Sequence, residues 1–346
     1  MTSRKTYIDI LRILAIFFVI FNHTQTKGFF LFSLTELSFR YWLYLFLSVF
    51  CKIAVPLFFM ISGALLIPKE ETINVLYRKR ILKYCIVIII FSAFYYYLAL
   101  ENKFMFSLKD LFRTIYSSNI IEPYWFLYSY LGLLIMLPLI RKMARNMTNL
   151  EFVYMFILHL IFTGGMPILH YLLFNNTIAA NLSIPIVTIS NIYYVTMGYY
   201  IDRYFSEFKL NKLIWLSMII FSFVAITITC FLVHYAAFET GSYDQTFHSI
   251  MVSIPTIFIF CFFKWKFENK SYPKILLRIV SSAGSCTFGI YLLEEYLRSR
   301  LLFIYDMVLK FLPPLTACFI YIISVMLCGY FIVLIAKKIP YIKKLF

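Results

Sequence analysis

Charge is scarce in this chain, and acidic charge is scarcer still. Only 14% of its 346 residues are Asp, Glu, Lys or Arg, and 32 basic residues outnumber 16 acidic ones. Little chain is left over for a separate soluble domain. The seven cysteines form no CxxC pair and share no ligand spacing with the five histidines, so they read as small buried hydrophobes rather than zinc or redox motifs. There is no internal repeat, no low-complexity stretch, no Walker-type phosphate loop and no G-x-S-x-G element. What is present is apolar: 62% of residues are hydrophobic and the mean hydropathy is +0.83.

The apolar residues recur in runs from end to end, and a helix crossing the hydrocarbon layer needs about twenty of them. About ten spans fit, near 8–27, 42–67, 82–100, 124–140, 151–173, 184–202, 213–235, 247–264, 279–297 and 314–336. Most Lys and Arg residues fall on one set of alternate loops and at the two ends. This asymmetry predicts cytoplasmic termini and an even number of spans. It also accounts for the net charge of +16 without a nucleic-acid partner. The first run continues through a polar His without a small-residue cleavage site, so it is expected to stay as a span and not be removed as a signal. The expectation is an all-α polytopic membrane protein with a single domain over residues 1–346.

The most informative stretch is Tyr7 to Gly28, YIDILRILAIFFVIFNHTQTKG. It has the length of a span yet carries Asp9, Arg12 and His23. Ionisable groups inside a membrane cost roughly 2.5–3.5 kcal/mol at mid-helix, so they tend to face a cavity or a partner and to mark function. Arg12 and His23 are eleven positions apart, about 16 Å and close to three turns, and therefore share a face. Asp9, three residues before Arg12, can reach it. An imidazole is the side chain whose ordinary titration lies near neutrality, which suits His23 to moving a proton.

Other residues carry weaker signals. Pro56 can kink the second span, while Ser62 and Gly63 offer a close-packing surface. Arg78, Lys79, Arg80 and Lys83 crowd the mouth of the third span. They either set topology or cradle a polyphosphate donor such as a coenzyme A thioester, with Arg78, Arg80 and Lys83 as the phosphate ligands. The segment from Glu101 to Pro123 can hold an amphipathic surface helix. Tyr124 and Trp125 lie where an aromatic belt is expected, and such rings also stack on sugars. His159 and His170 read as structural, and Asp202–Arg203 as a cytoplasmic ion pair. Glu239 and Asp244, flanked by His234 and His248, match no metal spacing, and no metal is predicted. Glu294 and Glu295, with Arg298 one turn on, read as a solvated ion pair at a helix end.

Several of these pieces occur together in one known family. Arg12 and His23 within YIDILRILAIFFVIFNH closely resemble the first-helix signature of the integral-membrane acyltransferase 3 family. VPLFFMISG is similar to that family's Pro-aromatic-SG element. Arg80-Ile-Leu-Lys83 is similar to its Arg-x-x-Arg element, with Lys in place of the second Arg. YWFLYSYLG and TFGIYLL extend the likeness over nearly the whole chain. Glu294 stands where many members have a histidine.

The resemblance implies an O-acetyltransferase of the inner or plasma membrane. It would move an acyl group, expected to be acetyl, from cytoplasmic acyl-CoA to a hydroxyl of a cell-surface or lipid-linked carbohydrate. His23, Arg12 and Asp9 would be catalytic, Arg78, Arg80 and Lys83 would bind the donor, and Tyr124 and Trp125 the acceptor. The competing class is a transporter or flippase of a lipid-linked glycan. Against it stand the missing repeat symmetry and the absence of paired broken-helix signals.

Overall fold

The structure is a computed structural model that describes residues 5–100, 106–174, 190–207, 211–240, 251–268, 270, 272–340 and 342–345. Among these residues every regular element is a helix. In chain order they are α1 (Thr6–Asn22), α2 (Phe39–Cys51), α3 (Ala54–Leu66), α4 (Ile73–Leu76), α5 (Leu82–Ala99), α6 (Leu108–Ser117), α7 (Trp125–Asn146) and α8 (Asn149–Leu160). Then come α9 (Met166–Phe174), α10 (Ser190–Tyr204), α11 (Lys212–Thr240), α12 (Ser253–Phe267), α13 (Lys274–Arg300), α14 (Leu302–Leu309) and α15 (Pro314–Ala336).

Seven helical stretches among the described residues are long and apolar enough to cross a membrane. They cover Phe39–Leu66, Ile73–Ala99, Glu122–Asn146, Asn149–Phe174, Lys212–Ala236, Lys274–Arg300 and Pro314–Ala336. The expected spans at 8–27, 184–202 and 247–264 correspond instead to shorter helices: α1 has 17 residues, and α10 and α12 have 15 each. Residues 184–189 and 247–250 of those spans lie outside the described residues.

The short helices are enclosed by protein. Helix α1 packs against α2, α3, α12, α13 and α15, and ten of its residues are buried. Helix α10 lies against α3, α7, α8 and α12 and buries Tyr193 through Met197 and Tyr199 through Ile201. The α3–α10 contact is backbone on backbone. A Cβ on Gly63 would stand 1.8 Å from the Val195 carbonyl oxygen, and one on Gly198 would stand 2.1 Å from that of Met60. Lipid supplies no hydrophobic drive for helix association, so close approach through small residues takes its place. Gly284 on α13 serves α1 in the same way, since its Cβ would meet Asp9 at 2.7 Å.

The second span is broken rather than kinked at Pro56. Helix α2 ends at Cys51, Lys52 and Ile53 form a turn, and α3 restarts at Ala54. Pro56 then falls in the first turn of α3, where its missing N–H costs nothing. The expected amphipathic helix is α6, capped by Ser107 and burying only Leu111. Asp202 does not pair with Arg203. Neighbouring helix residues point about 100° apart, and the Asp202 side chain, 4% exposed, instead meets Lys5 at 2.5 Å, Lys264 at 3.3 Å and the Tyr7 hydroxyl.

Candidate active site

Helix α1 stops at His23, whose N–H is still bonded to Val19 and Ile20. Thr24 then turns the chain: its hydroxyl donates to the Phe21 carbonyl at 2.7 Å and accepts from the Phe29 N–H at 3.0 Å. This stop leaves the imidazole at a helix end instead of in a regular helix face. Its Nδ1 lies 2.7 Å from Oε1 of Glu294, on α13 and 271 positions away in sequence. The only hydrogen bond to the ring among the described residues is this one at Nδ1, and the side chain is 24% exposed.

Glu294 is fully buried, and both of its oxygens are used. Oε2 accepts from Arg298 Nε at 2.8 Å, while Arg298 also reaches Glu295 and the His23 carbonyl. The sequence reading of Glu294, Glu295 and Arg298 as a solvated pair is therefore corrected. The i,i+4 spacing from Glu294 to Arg298 is real, but it runs along the face of α13 turned toward α1. A carboxylate only accepts, so Nδ1 carries the proton in this contact, and an imidazole in that tautomer has Nε2 as its acceptor.

Tyrosines brace this stretch of α13. The Tyr95 hydroxyl bridges the Leu292 carbonyl (3.2 Å) and the Tyr296 N–H (3.2 Å), two groups that pair with each other in a regular helix. Tyr124 also donates to Leu292, at 2.9 Å, and Tyr291 donates to the Pro123 carbonyl at 2.5 Å. Tyr124 is thus fully buried and holds the helix that carries Glu294; it is not on an accessible wall. Trp125, half exposed, is.

One cavity of about 920 Å³ runs along α1 from Arg12 to His23. Beside His23 it is lined by Asn22, Gln25, Lys52, Glu122 and Trp125. Three turns away Arg12 lines it together with Lys69, Lys79, Arg80 and Lys83. Asp9 is buried and holds Arg12 at 3.4 Å without lining the cavity itself. Arg78 also stays outside the lining and points to the exterior, while Lys79 takes the place expected for it. Lys79 and Arg80 stand four and three residues before Lys83 and so share its face, whereas Arg78 is two residues from Arg80 and faces away; a π-helical turn runs through Tyr77–Ile81.

The basic end is braced from the loop between α3 and α4. Glu71 takes both forks of Arg80, at 2.6 and 3.0 Å, and a third contact from Arg141 at 2.9 Å. The Arg80 contact, seconded by Arg141, holds the Glu71 carboxyl down at about 2. Arg141 and Arg145 also cap the last carbonyls of α3 at Leu66 and Ile67. Burial, with Arg80 as neighbour, pulls the Lys69 ammonium below its ordinary value.

A base oriented by a carboxylate, and a basic pocket in the same cavity, are the parts an acyl-transfer site needs. The chain matches the family described as "Acyltransferase domain" over residues 5–335. It belongs to the acyltransferase 3 family. Neither a search of curated proteins nor one of solved structures found a match. As a member of that family, the protein is an acyltransferase with several membrane-spanning helices.

Among the described residues no group of three His, Cys, Asp or Glu residues could hold a metal ion. His159 is buried and stacks on Tyr193 at 3.5 Å between ring centroids. His234 pairs with the Tyr41 hydroxyl at 2.8 Å. Asp244 and His248 lie outside the described residues.

Proposed function

We propose that the protein moves an acetyl group from cytoplasmic acetyl-CoA to a hydroxyl of a cell-surface or lipid-linked carbohydrate. In this reading it sits in the inner or plasma membrane, with about ten crossings and both termini cytoplasmic. The observation that carries it is the 2.7 Å contact between His23 and buried Glu294, in a cavity whose other end gathers Arg12, Arg80 and Lys83.

The chemistry balances on these residues. The acceptor hydroxyl donates to His23 Nε2, and its proton moves there as the oxygen attacks the thioester carbon. Glu294 stabilises the imidazolium that forms. Collapse of the tetrahedral intermediate breaks the carbon–sulfur bond, and the departing thiolate takes the proton back from Nε2. The products are an ester and free coenzyme A. Positioned proton transfer of this kind contributes about 10²–10⁴ in rate. Arg12, Arg80 and Lys83 hold the donor phosphates, and walls that exclude water protect the thioester from hydrolysis.

The test is transfer of radiolabel from acetyl-CoA to envelope polysaccharide in membranes. His23→Gln keeps a hydrogen-bonding side chain but cannot exchange a proton near neutral pH, so transfer should fall by about 10²–10⁴. The yield of monodisperse detergent-extracted protein should stay unchanged. Transfer near the wild-type rate would make His23 structural.

A further inference from the structure

Asn22, the last residue of α1, is fixed in one orientation. Its Nδ2 donates to the Cys51 carbonyl at 3.1 Å, at the end of α2. A carbonyl only accepts, so the amide cannot be turned round without losing that bond. Oδ1 is thereby directed elsewhere. It is buried and has no partner among the described residues, and Asn22 lines the cavity beside His23. A buried amide oxygen left without a donor is costly, and a leucine at this position would avoid that cost.

Such an oxygen can only accept a hydrogen bond. The ligand that meets it must bring an O–H or N–H; a phosphate or carbonyl oxygen would be repelled. The attacking hydroxyl spends its proton at His23 Nε2, so the donor to Asn22 is a second group. The neighbouring walls favour a polyol. Gln25 is held in the left-handed region at φ 51°, a conformation that a non-glycine residue keeps only where its surroundings impose it, and Lys52 and Glu122 add further polar groups. The cations suited to phosphate lie three turns away around Arg12.

We propose that Asn22 Oδ1 accepts a hydrogen bond from a second hydroxyl of the acceptor, and so selects which hydroxyl is presented to His23. It is a positioning and specificity residue, and the inference rests on the acyl-transfer reading above.

The experiment uses the full chain in membranes, with acetyl-CoA as donor and envelope polysaccharide from cells lacking the enzyme as acceptor. Asn22→Leu should lower kcat/KM for the polysaccharide at least tenfold and leave KM for acetyl-CoA within twofold. It should also spread acetyl over more ring positions by NMR. Asn22→Asp loses the Cys51 contact as Leu does but keeps an accepting oxygen, and should retain most of the positional selectivity. A rise in the acetyl-CoA KM with unchanged acceptor kinetics would assign the contact to the N–H of the donor's pantetheine arm and overturn the proposal. Equal losses in both variants would make the Cys51 contact the only role and overturn it too. Absence of transfer by the wild type, or wild-type rates in His23→Gln, would instead sink the acyl-transfer reading itself.

Discussion

Helices α1 and α11 are both strongly apolar, and they do opposite things. Helix α11 is the longest among the described residues, and its stretch Lys212–Ala236 has a mean hydropathy of 2.5. Yet Ile219, Ile220, Phe221 and Phe223 along it are about half or more exposed, an apolar surface suited to acyl chains. Helix α1 is shorter, carries Asp9 and Arg12 and ends at His23, but ten of its 17 residues are buried among other helices. Hydropathy therefore separates membrane from water without separating lipid-facing from central. Where a helix is surrounded by protein, its ionisable groups find partners and cavity walls, and their cost becomes bearable.

That contrast can be broken from either side. The largest expected effect after His23 is at Glu294→Gln. The neutral amide cannot both accept from His23 and balance the Arg298 charge beside it, so transfer should fall by about 10² or more, as when proton transfer is lost. Undiminished transfer in the radiolabel assay would reduce the central helices to packing.

Arg80→Ala should raise KM for acetyl-CoA by an amount equivalent to about 1.5–3 kcal/mol, the worth of one charge-assisted contact. The same change measured with a non-nucleotide thioester should be small. Equal effects on both donors would return the basic run to its topological role.

The Glu71 clamp makes a smaller, pH-dependent contribution. Its folded carboxyl is held at about 2 against an ordinary 4.5, so the stabilisation is fully present above pH 4.5. It is lost as pH falls through about 2, when the folded form takes up its proton. The melting-temperature gap between wild type and Glu71→Gln should therefore be flat from pH 5 to 8 and close below pH 4.5. A gap that persisted at low pH would show that the glutamate acts by shape alone.

The smallest effect belongs to the outer surface. Phe221→Ala on α11 should change stability in detergent by no more than about 0.5 kcal/mol and leave transfer intact. A large loss would mean that α11 faces a protein partner.

Much of the site was legible because helical geometry carries it within one segment. The three-turn spacing pointed to Arg12 and His23 together, and both line one cavity although His23 lies just past the helix end; the basic run marked the cavity's far end, and Ser62–Gly63 announced a close contact. Three features were not legible, each for a physical reason. A π turn runs through Tyr77–Ile81, which no residue in the basic run announces, and Lys79 lines the cavity where Arg78 was expected. The break at Lys52–Ile53 put a cation on the cavity wall within an otherwise continuous apolar run. Tyr124 and Trp125, adjacent in sequence, face apart, so one braces α13 and the other lines the cavity.

By itself the amino-acid sequence determined the class of molecule, because apolar runs, basic loops and the Arg12–His23 spacing are local properties of one chain direction. It determined the family as well, through short elements in a fixed order. Only the tertiary structure decided which helices are central and what His23 works against. Glu294 sits 271 positions from His23, within a Glu-Glu…Arg pattern that looks the same on a solvated helix end as on a buried one. Burial and partnership across that distance arise from how α1 and α13 pack around Gly284, and no local periodicity records that packing.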